Sequence, residues 1–165
     1  MPKIEYKNTS KFLKTYGNQV EKEIKNRLKG HDKYASGKLY KSIRTEVVEE
    51  KKQFLLNFYM EDYGKFVDKG VEGAESGKAG NGGKSIYKFK SKMPPEKPFR
   101  SWLKRKGIPK EKSFVIRRSI YLFGITPTNF FTIPTTRRKK ELERMLEKNM
   151  AKDIDDNIQK EIDKK

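Results

Sequence analysis

The sequence predicts an α+β fold, with a small antiparallel sheet packed by helices and long N-terminal and C-terminal helices. Apolar residues recur at helical spacing over residues 12–28 and again over residues 142–162. Between these segments, residues 45–48 and 53–59 are rich in β-branched and aromatic side chains, and the charged residues 49–52 separate them. This pattern is typical of a hairpin. A chain of 165 residues is the usual size of one domain.

The N-terminal helix is predicted from Thr9 or Ser10, which are suitable N-caps, to about Lys29, with Gly30 as its stop. Its apolar positions are Phe12, Leu13, Tyr16, Val20, Ile24 and Leu28. A spacing of four residues turns this stripe slowly around the helix, because an α-helix has 3.6 residues per turn. The stripe is typical of a core helix, and an added contact with another subunit stays open.

A short helix or turn is predicted on each side of the hairpin, at residues 36–43 and 62–69. The glycine-rich segment 71–85 follows, and we expect a long loop there that becomes ordered on docking. Its end, Gly-Gly-Lys-Ser, is similar to part of a phosphate-binding P-loop. That motif also needs a glycine five residues before Gly83, where this chain has Lys78. Nucleotide binding is therefore not predicted.

Residues 85–90 alternate like a strand, with Ile86 and Phe89 facing inward. A short helix with one basic side is predicted at residues 98–107, where proline begins it and glycine ends it. A second helix at residues 110–124 is apolar on much of its surface, so we expect it to be the most buried helix. The same apolar surface disfavours a DNA-reading helix, which needs exposed polar side chains.

An irregular aromatic linker at residues 125–134 precedes the last helix, which is predicted from Thr135 or Thr136 to about Ile162. We divide the chain into an α+β body, residues 1–133, and this C-terminal helix, residues 134–165. The helix is expected to extend to a neighbouring subunit. Its predicted subunit contacts are Leu142, Leu146, Met150, Ile154 and Ile158. An autonomous coiled coil is the alternative, although the row lacks the alternating three-and-four step of a heptad.

Positive charge dominates the composition, and most of the excess lies in the middle of the chain. The net charge is +18, with 38% charged and 33% hydrophobic residues. Residues 78–118 hold fourteen Lys or Arg and two acids. Such a segment attracts polyanions through its summed field, although a merely solvated surface is the other interpretation. The residues expected to contact DNA or an acidic partner are Lys84, Lys88, Lys90, Arg100, Lys104, Arg105 and Lys106.

The composition disfavours an enzyme, a metal site or a bound cofactor. The chain has no cysteine and one histidine, His31, so thiolate metal sites are excluded and a Ser-His-Asp triad lacks its usual parts. The carboxylates Glu61, Asp62, Asp68 and Glu72 are scattered among lysines without metal-site spacing. No signal-peptide core and no apolar run of about 20 residues is present, so we expect no membrane contact and synthesis in a cytoplasm.

One ordered set of motifs spans the short helices and the hairpin. It consists of a small residue, a glycine, an apolar residue two positions on, Ser-Ile, a hairpin, and Tyr-x-x-Phe-Val-x-x-Gly. The residues that form it are Ser36, Gly37, Leu39, Ser42, Ile43, Tyr63, Phe66, Val67 and Gly70. This set resembles the neck and tail-completion proteins of tailed bacteriophages, which join the DNA-filled head to the tail. Residues 124–131 resemble the Pro-Phe segment before the family's last helix, whereas the long insertion at residues 71–85 departs from its shorter loop.

The resemblance implies a structural virion protein rather than an enzyme. Its expected place is the neck, as a subunit of a ring of six or twelve copies between the portal and the tail. The implied partners are the portal and other neck or tail proteins, and the virion implies synthesis in the host cytoplasm. A composition rich in Lys, Ile and Asn suits a phage of an AT-rich host, such as a crAss-like phage. The alternative function is non-specific nucleic-acid binding through residues 78–118.

Overall fold

The computed structural model describes residues 5–31, 37–50 and 53–164, without the side chains of Pro98 and Ser101. It confirms the predicted α+β class, with a two-stranded antiparallel hairpin and long helices near both ends of the chain. The elements in chain order are α1 (Lys7–Gly30), α2 (Lys38–Ser42), β1 (Arg44–Glu50), β2 (Gln53–Tyr59), α3 (Gly64–Lys69), β3 (Val71–Glu72), α4 (Glu96–Arg105), a 3-10 turn (Lys110–Lys112), α5 (Ser113–Phe123), β4 (Gly124–Ile125), α6 (Thr132–Arg137) and α7 (Lys139–Ile162).

The described residues form two compact units. The first, which we call the helix–hairpin unit, comprises described residues among 1–24, 44–59 and 133–165. The second, the central unit, comprises described residues among 25–43 and 60–132. Helix α1 contributes to both. Helix α7 belongs to the same unit as the hairpin and the part of α1 up to Ile24.

Helix α1 supplies the core of the helix–hairpin unit, as its spacing predicted. Leu13, Tyr16, Val20 and Ile24 are all buried. The helix begins at Lys7, two residues before the first predicted cap. A side chain of α7 accepts hydrogen bonds from this end of the helix.

The hairpin packs closely on α1 at a glycine. Strands β1 and β2 pair antiparallel from Arg44 opposite Tyr59 to Glu50 opposite Gln53. A Cβ at Gly17 would lie 3.0 Å from Leu56 Cδ1, so the helix and the hairpin are in close contact at this position. The Glu21 carboxylate accepts hydrogen bonds from the Thr45 backbone N–H at 2.9 Å and from its hydroxyl at 3.1 Å. The first strand is therefore fixed to α1 at its start.

The last two helices join at Arg138, which is held against α1. The Tyr16 hydroxyl donates to the Arg138 carbonyl oxygen at 3.0 Å, and Arg138 Nε donates to Glu23 Oε2 at 3.0 Å. Burial raises the pKa of Tyr16, and the nearby Glu141 adds to this effect. The predicted single helix from Thr135 or Thr136 is thus two helices, because the chain turns at Arg138.

The central unit has a small core that a two-residue sheet helps to close. Val71 of β3 pairs antiparallel with Ile125 of β4. The buried apolar side chains of this unit are Leu28, Leu39, Ile43, Val71, Ala79, Leu103 and Phe130. The predicted short helices are present as α2, α3 and α4.

The predicted strand at residues 85–90 is wrong. Only an isolated bridge forms there, between Lys88 and Glu72. Ile86, expected to face inward, is 80% exposed. Tyr87 takes the place of Ile86, with its ring centroid 4.8 Å from that of Phe66. Phe89 is half-buried, as its predicted inward position requires, with its ring centroid 6.0 Å from that of Tyr121. The two aromatic rings set the register, since they bury more apolar surface than the single isoleucine.

The prediction that the helix at residues 110–124 is the most buried helix is also wrong. In α5 only Ser113 is fully buried. Phe114, Val115 and Phe123 are 56%, 65% and 54% exposed. The apolar residues are spread around the whole helix, so those that point away from the half-buried Ile116, Ile120 and Tyr121 stay exposed.

Candidate functional site

The fragments of the ordered motif set, at residues 37–43 and 63–70, come together in the central unit. The Ser42 hydroxyl oxygen accepts a hydrogen bond from the Glu61 backbone N–H at 3.0 Å and donates to the Leu39 carbonyl at 2.8 Å. A Cβ at Gly64 would lie 2.9 Å from Leu39 Cδ1, so α2 and α3 pack in direct contact. The first motif fragment is therefore hydrogen-bonded to the chain that leads into the second fragment and packs against it, although the hairpin separates the two in the sequence. Ser36, the first motif residue, lies outside the described residues.

The second motif fragment is in turn hydrogen-bonded to the segment that leads into α6. The Thr128 hydroxyl donates to the Val67 carbonyl oxygen at 2.8 Å, and the Asn129 backbone N–H donates to the Asp68 carbonyl at 2.9 Å. The Asp68 carboxylate accepts from the backbone N–H of Phe131 at 2.8 Å and of Thr132 at 3.1 Å. Asp68 thus caps the start of α6 from 64 residues away in sequence. Local sequence does not indicate this role, because Asp68 stands between Val67 and Lys69 and resembles an ordinary solvated acid.

Two glycines allow these segments to approach. Gly70 and Gly124 both have a positive φ, of 70° and 85°. A Cβ at Gly70 would overlap the Ile125 carbonyl oxygen, and a Cβ at Gly124 would overlap the Val71 carbonyl oxygen. Both positions therefore require glycine for conformation and for space. This explains the glycine that ends the Tyr-x-x-Phe-Val-x-x-Gly motif.

The other motif residues divide into a buried set and a surface set. Gly37, Leu39, Ile43 and Gly70 are buried, and Ser42, Phe66 and Val67 are half-buried. Tyr63 is 40% exposed. The motif therefore builds a scaffold, since its buried members pack and its polar members satisfy backbone groups.

The glycine-rich loop is held against the end of α5. Backbone N–H groups of Ala74 and Gly80 donate to the carbonyl oxygens of Tyr121 and Phe123 at 2.8 and 2.9 Å. The Asn81 N–H donates to the Thr126 hydroxyl oxygen at 3.2 Å, and Ala79 is completely buried. These contacts lie within one chain, so the loop has ordered partners without a docked protein.

All seven predicted basic contact residues lie on the surface of the central unit. Lys84, Lys88 and Lys90 follow the glycine-rich loop, and Arg100, Lys104, Arg105 and Lys106 lie on or just after α4. Arg100 and Lys104 share a groove of about 720 Å³ with Glu96, Leu103, Ile108, Lys110 and Glu111. Arg100 Nε is 2.9 Å from Glu96 Oε1, so part of the groove's positive charge is neutralised. Arg105 and Lys106 lie outside the groove lining, at the end of α4.

The predicted subunit-contact residues on α7 fall on two different surfaces. Leu142 and Leu146 are half-buried in the helix–hairpin unit. Met150, Ile154 and Ile158 are 36%, 45% and 55% exposed, and the exposure continues to Ile162. In the second half of α7 the apolar row thus faces solvent, while the packed side is polar.

The packed side of α7 is centred on Asp153, which is 1% exposed. Its carboxylate accepts hydrogen bonds from the backbone N–H groups of Asn8 at 2.7 Å and Thr9 at 2.8 Å. Burial alone would raise the pKa of Asp153, but the hydrogen bonds from Thr9 and Asn8 outweigh it and hold the pKa below its ordinary value. The charged form is therefore the one that fits the start of α1.

Within residues 5–31, 37–50 and 53–164, no three carboxylate or imidazole side chains lie close enough together to hold a metal ion. No helix in those ranges has the length and apolar character needed to span a membrane.

Comparisons with protein-family models, curated proteins and solved structures gave no match to this chain.

Proposed function

We propose that this chain is a structural virion protein of a tailed phage, a neck or tail-completion ring subunit that joins the portal of the DNA-filled head to the tail. The observation that carries the proposal is the joining of the three motif fragments. Ser42 binds the chain before α3, and Val67 and Asp68 bind residues 128–132. Fragments far apart in sequence thus form one scaffold, as expected if they are parts of one structural motif.

The chemistry of this cluster supports a scaffold rather than an active site. The Asp68 carboxylate accepts hydrogen bonds from backbone N–H groups at the start of α6, and the Ser42 hydroxyl both donates and accepts a hydrogen bond. A nucleophile or general base must instead be available to a substrate. The exposed apolar side chains on α5 and α7 also suit a subunit that meets other proteins, because large apolar side chains on a surface mark interaction sites.

The proposal is tested on virions of the phage that encodes the chain. Antibodies against the chain, detected with gold particles by electron microscopy, are expected to label the junction of head and tail. Mass spectrometry of purified virions is expected to find six or twelve copies of the chain for each portal ring. A chain that is made during infection but is absent from finished virions would contradict the proposal.

Non-specific nucleic-acid binding is the second candidate, favoured by the exposure of all seven basic residues. Each phosphate contact adds about 0.9 to the slope of log affinity against log salt concentration. The variant with Lys104, Arg105 and Lys106 changed to Glu is expected to reduce that slope by about 3 if these residues contact phosphates. The matched control changes Lys140, Lys148 and Lys152 of α7 to Glu. Equal DNA affinity of both variants and the unchanged chain would remove this candidate.

A further inference from the structure

The hairpin leaves the outer edge of β2 without a neighbouring strand. Within the described residues, β1 and β2 form a sheet of two strands, so each strand has one edge that no third strand covers. Such an edge carries backbone N–H and C=O groups that can pair with the strand of another chain. The backbone bonds and the composition of the two strands show which edge can accept one.

The backbone groups that point outward from β2 follow from the bonding of Thr45. Its N–H donates to the Glu21 carboxylate at 2.9 Å, so it points away from β2. Thr45 and Phe58 therefore form a non-hydrogen-bonded pair, and such pairs alternate with hydrogen-bonded pairs along an antiparallel ladder. Phe54 and Leu56 occupy the same kind of pair, so their N–H and C=O groups point to the outer edge of β2. Neither residue has a backbone partner elsewhere in the described chain.

The outer edge of β1 is protected, whereas that of β2 is not. The Glu21 side chain already binds the first outward N–H of β1. This strand also carries four charged residues, Arg44, Glu46, Glu49 and Glu50. Charges on an edge strand oppose pairing with a further strand. Strand β2 has no charged residue, no proline and no glycine among its seven residues, and this composition favours strand pairing.

Strand β2 is complementary to itself in the antiparallel orientation. When Leu56 of one copy lies opposite Leu56 of a second copy, each donates its backbone N–H to the carbonyl oxygen of the other. On the same face of the sheet, Phe54 of each copy then lies opposite Phe58 of the other, and on the opposite face Leu55 lies opposite Asn57. Aromatic cross-strand pairs stabilise a sheet, and no two charges are brought together. A second copy supplies both halves of these pairs, which identifies it as the partner.

We propose that two copies of the chain pair through the outer edges of β2 and form a symmetric dimer with a four-stranded antiparallel sheet. The strand order is β1-β2-β2-β1, so the charged β1 strands lie at both ends and the pairing stops at two copies. Such a two-fold contact is isologous, as in most homodimers. Strands of seven residues bury a small area, so the dimer forms reversibly and its population depends on concentration. This inference goes beyond the proposed function and does not depend on a ring.

Disulfide formation between introduced cysteines tests the pairing and its register, because the chain has no cysteine of its own. The changes Leu55→Cys and Asn57→Cys are made in separate full-length chains. In the dimer, position 55 of one copy lies opposite position 57 of the other, with about 4.5 Å between Cα atoms, which a disulfide can span. Two positions 55 lie on a diagonal, about 7–8 Å apart, which a disulfide spans poorly. The oxidised mixture is therefore expected to give about tenfold more linked dimer than either chain alone.

The matched control mixes the Leu55→Cys chain with a Val48→Cys chain. Val48 pairs with Leu55 within the hairpin, so it lies on the same face but on the strand away from the dimer contact. This mixture is expected to give no more linked dimer than the single chains. Circular dichroism checks that each variant is folded.

Sedimentation velocity of the unchanged chain over a range of concentrations is expected to show a reversible equilibrium of monomer and dimer. A chain that stays monomeric up to about 1 mM would overturn the proposal. Equal linking of each cysteine variant alone and of their mixture would also overturn it, because the register would then be different or absent. Species larger than a dimer as the main product would show that pairing does not stop at β1. The virions decide the proposed function separately, so either idea can fail without the other.

Discussion

The carboxylate of Asp153 in α7 accepts a hydrogen bond from the backbone N–H of Thr9 in α1 at 2.8 Å, across 144 residues of sequence. It accepts a second bond from the Asn8 N–H at 2.7 Å. The first N–H groups of a helix have no partner within the helix, and they form the positive end of its dipole. A buried carboxylate at that place satisfies both needs and joins the two longest helices of the helix–hairpin unit.

Replacing Asp153 by Asn is expected to destabilise the fold by about 2 kcal/mol. The amide keeps one acceptor oxygen, but it loses the negative charge and turns a donor group towards the donors of Asn8 and Thr9. Unfolding in urea, followed by circular dichroism, measures the change. The matched control is Asp155→Asn, since Asp155 is an exposed acid on the same helix. Equal stability of the two variants would show that the Asp153 carboxylate contributes no more than a surface acid.

The stability difference between the unchanged chain and the Asp153→Asn variant is expected to narrow in acid. The pKa of Asp153 in the folded chain lies below its ordinary value of 3.8. A carboxyl group with a depressed pKa stabilises the fold at pH values above 3.8, and this contribution is lost as the pH falls through the folded-state pKa. The asparagine has no proton to gain over this range.

Thermal unfolding of both proteins at several pH values checks this dependence. The gap in Tm should be full at about pH 6 and smaller at about pH 3. A gap that grows as the pH falls would mean that Asp153 is protonated more easily in the folded chain than in the unfolded one, contrary to its hydrogen bonding.

The sequence pattern does not indicate which face of α7 packs inside its unit, and the reason is physical. The apolar residues Met150, Ile154, Ile158 and Ile162 indicated a row that continues beyond the body, and these side chains are indeed exposed. The residue that is buried, Asp153, resembles any solvated acid in a charged helix. Its burial depends on the unpaired N–H groups of α1, which are distant in sequence, so periodicity carries no signal for it.

The same limit explains which parts of the fold could be predicted. The hairpin, α1 and the short helices follow from local spacing and from turn residues, and all are present. Ile86 and α5 were misplaced because apolar character alone does not say which neighbours exist to cover it. The joining of Val67 and Asp68 to residues 128–132 depends on hydrogen bonds to side chains and backbone that only the fold brings together.

Removing the Asp68 carboxylate is expected to weaken the joint between α3 and α6. Asp68→Ala leaves the part-buried N–H groups of Phe131 and Thr132 without this acceptor and should cost about 2–3 kcal/mol. Asp68→Asn should cost less, because both N–H groups donate to Oδ1 and the amide oxygen can accept both bonds in its place, without the negative charge. The exposed Asp62 provides the control variant, Asp62→Asn.

Urea unfolding of these three variants should therefore rank Asp68→Ala as least stable, then Asp68→Asn, then Asp62→Asn. If Asp68→Asn proved as stable as the unchanged chain, the charge of Asp68 would have no part in holding α6. If Asp68→Ala were also as stable as the unchanged chain, the hydrogen bonds between Asp68 and the start of α6 would contribute nothing to stability.

Gly70→Ala is expected to be far more damaging than Gly77→Ala, although both glycines have a positive φ, of 70° and 60°. The conformational cost is similar at the two sites, about 1 kcal/mol. At Gly77 no atom lies within 4 Å of the added Cβ, whereas at Gly70 the Cβ would overlap the Ile125 carbonyl oxygen and lie 2.9 Å from Pro127 Cδ. The backbone must then separate β3 from β4, so the total cost at Gly70 should reach about 3 kcal/mol. Chemical denaturation of both variants measures the difference. Equal losses would mean that the close approach of β3 and β4 can relax freely, and that the motif needs glycine at position 70 for its conformation alone.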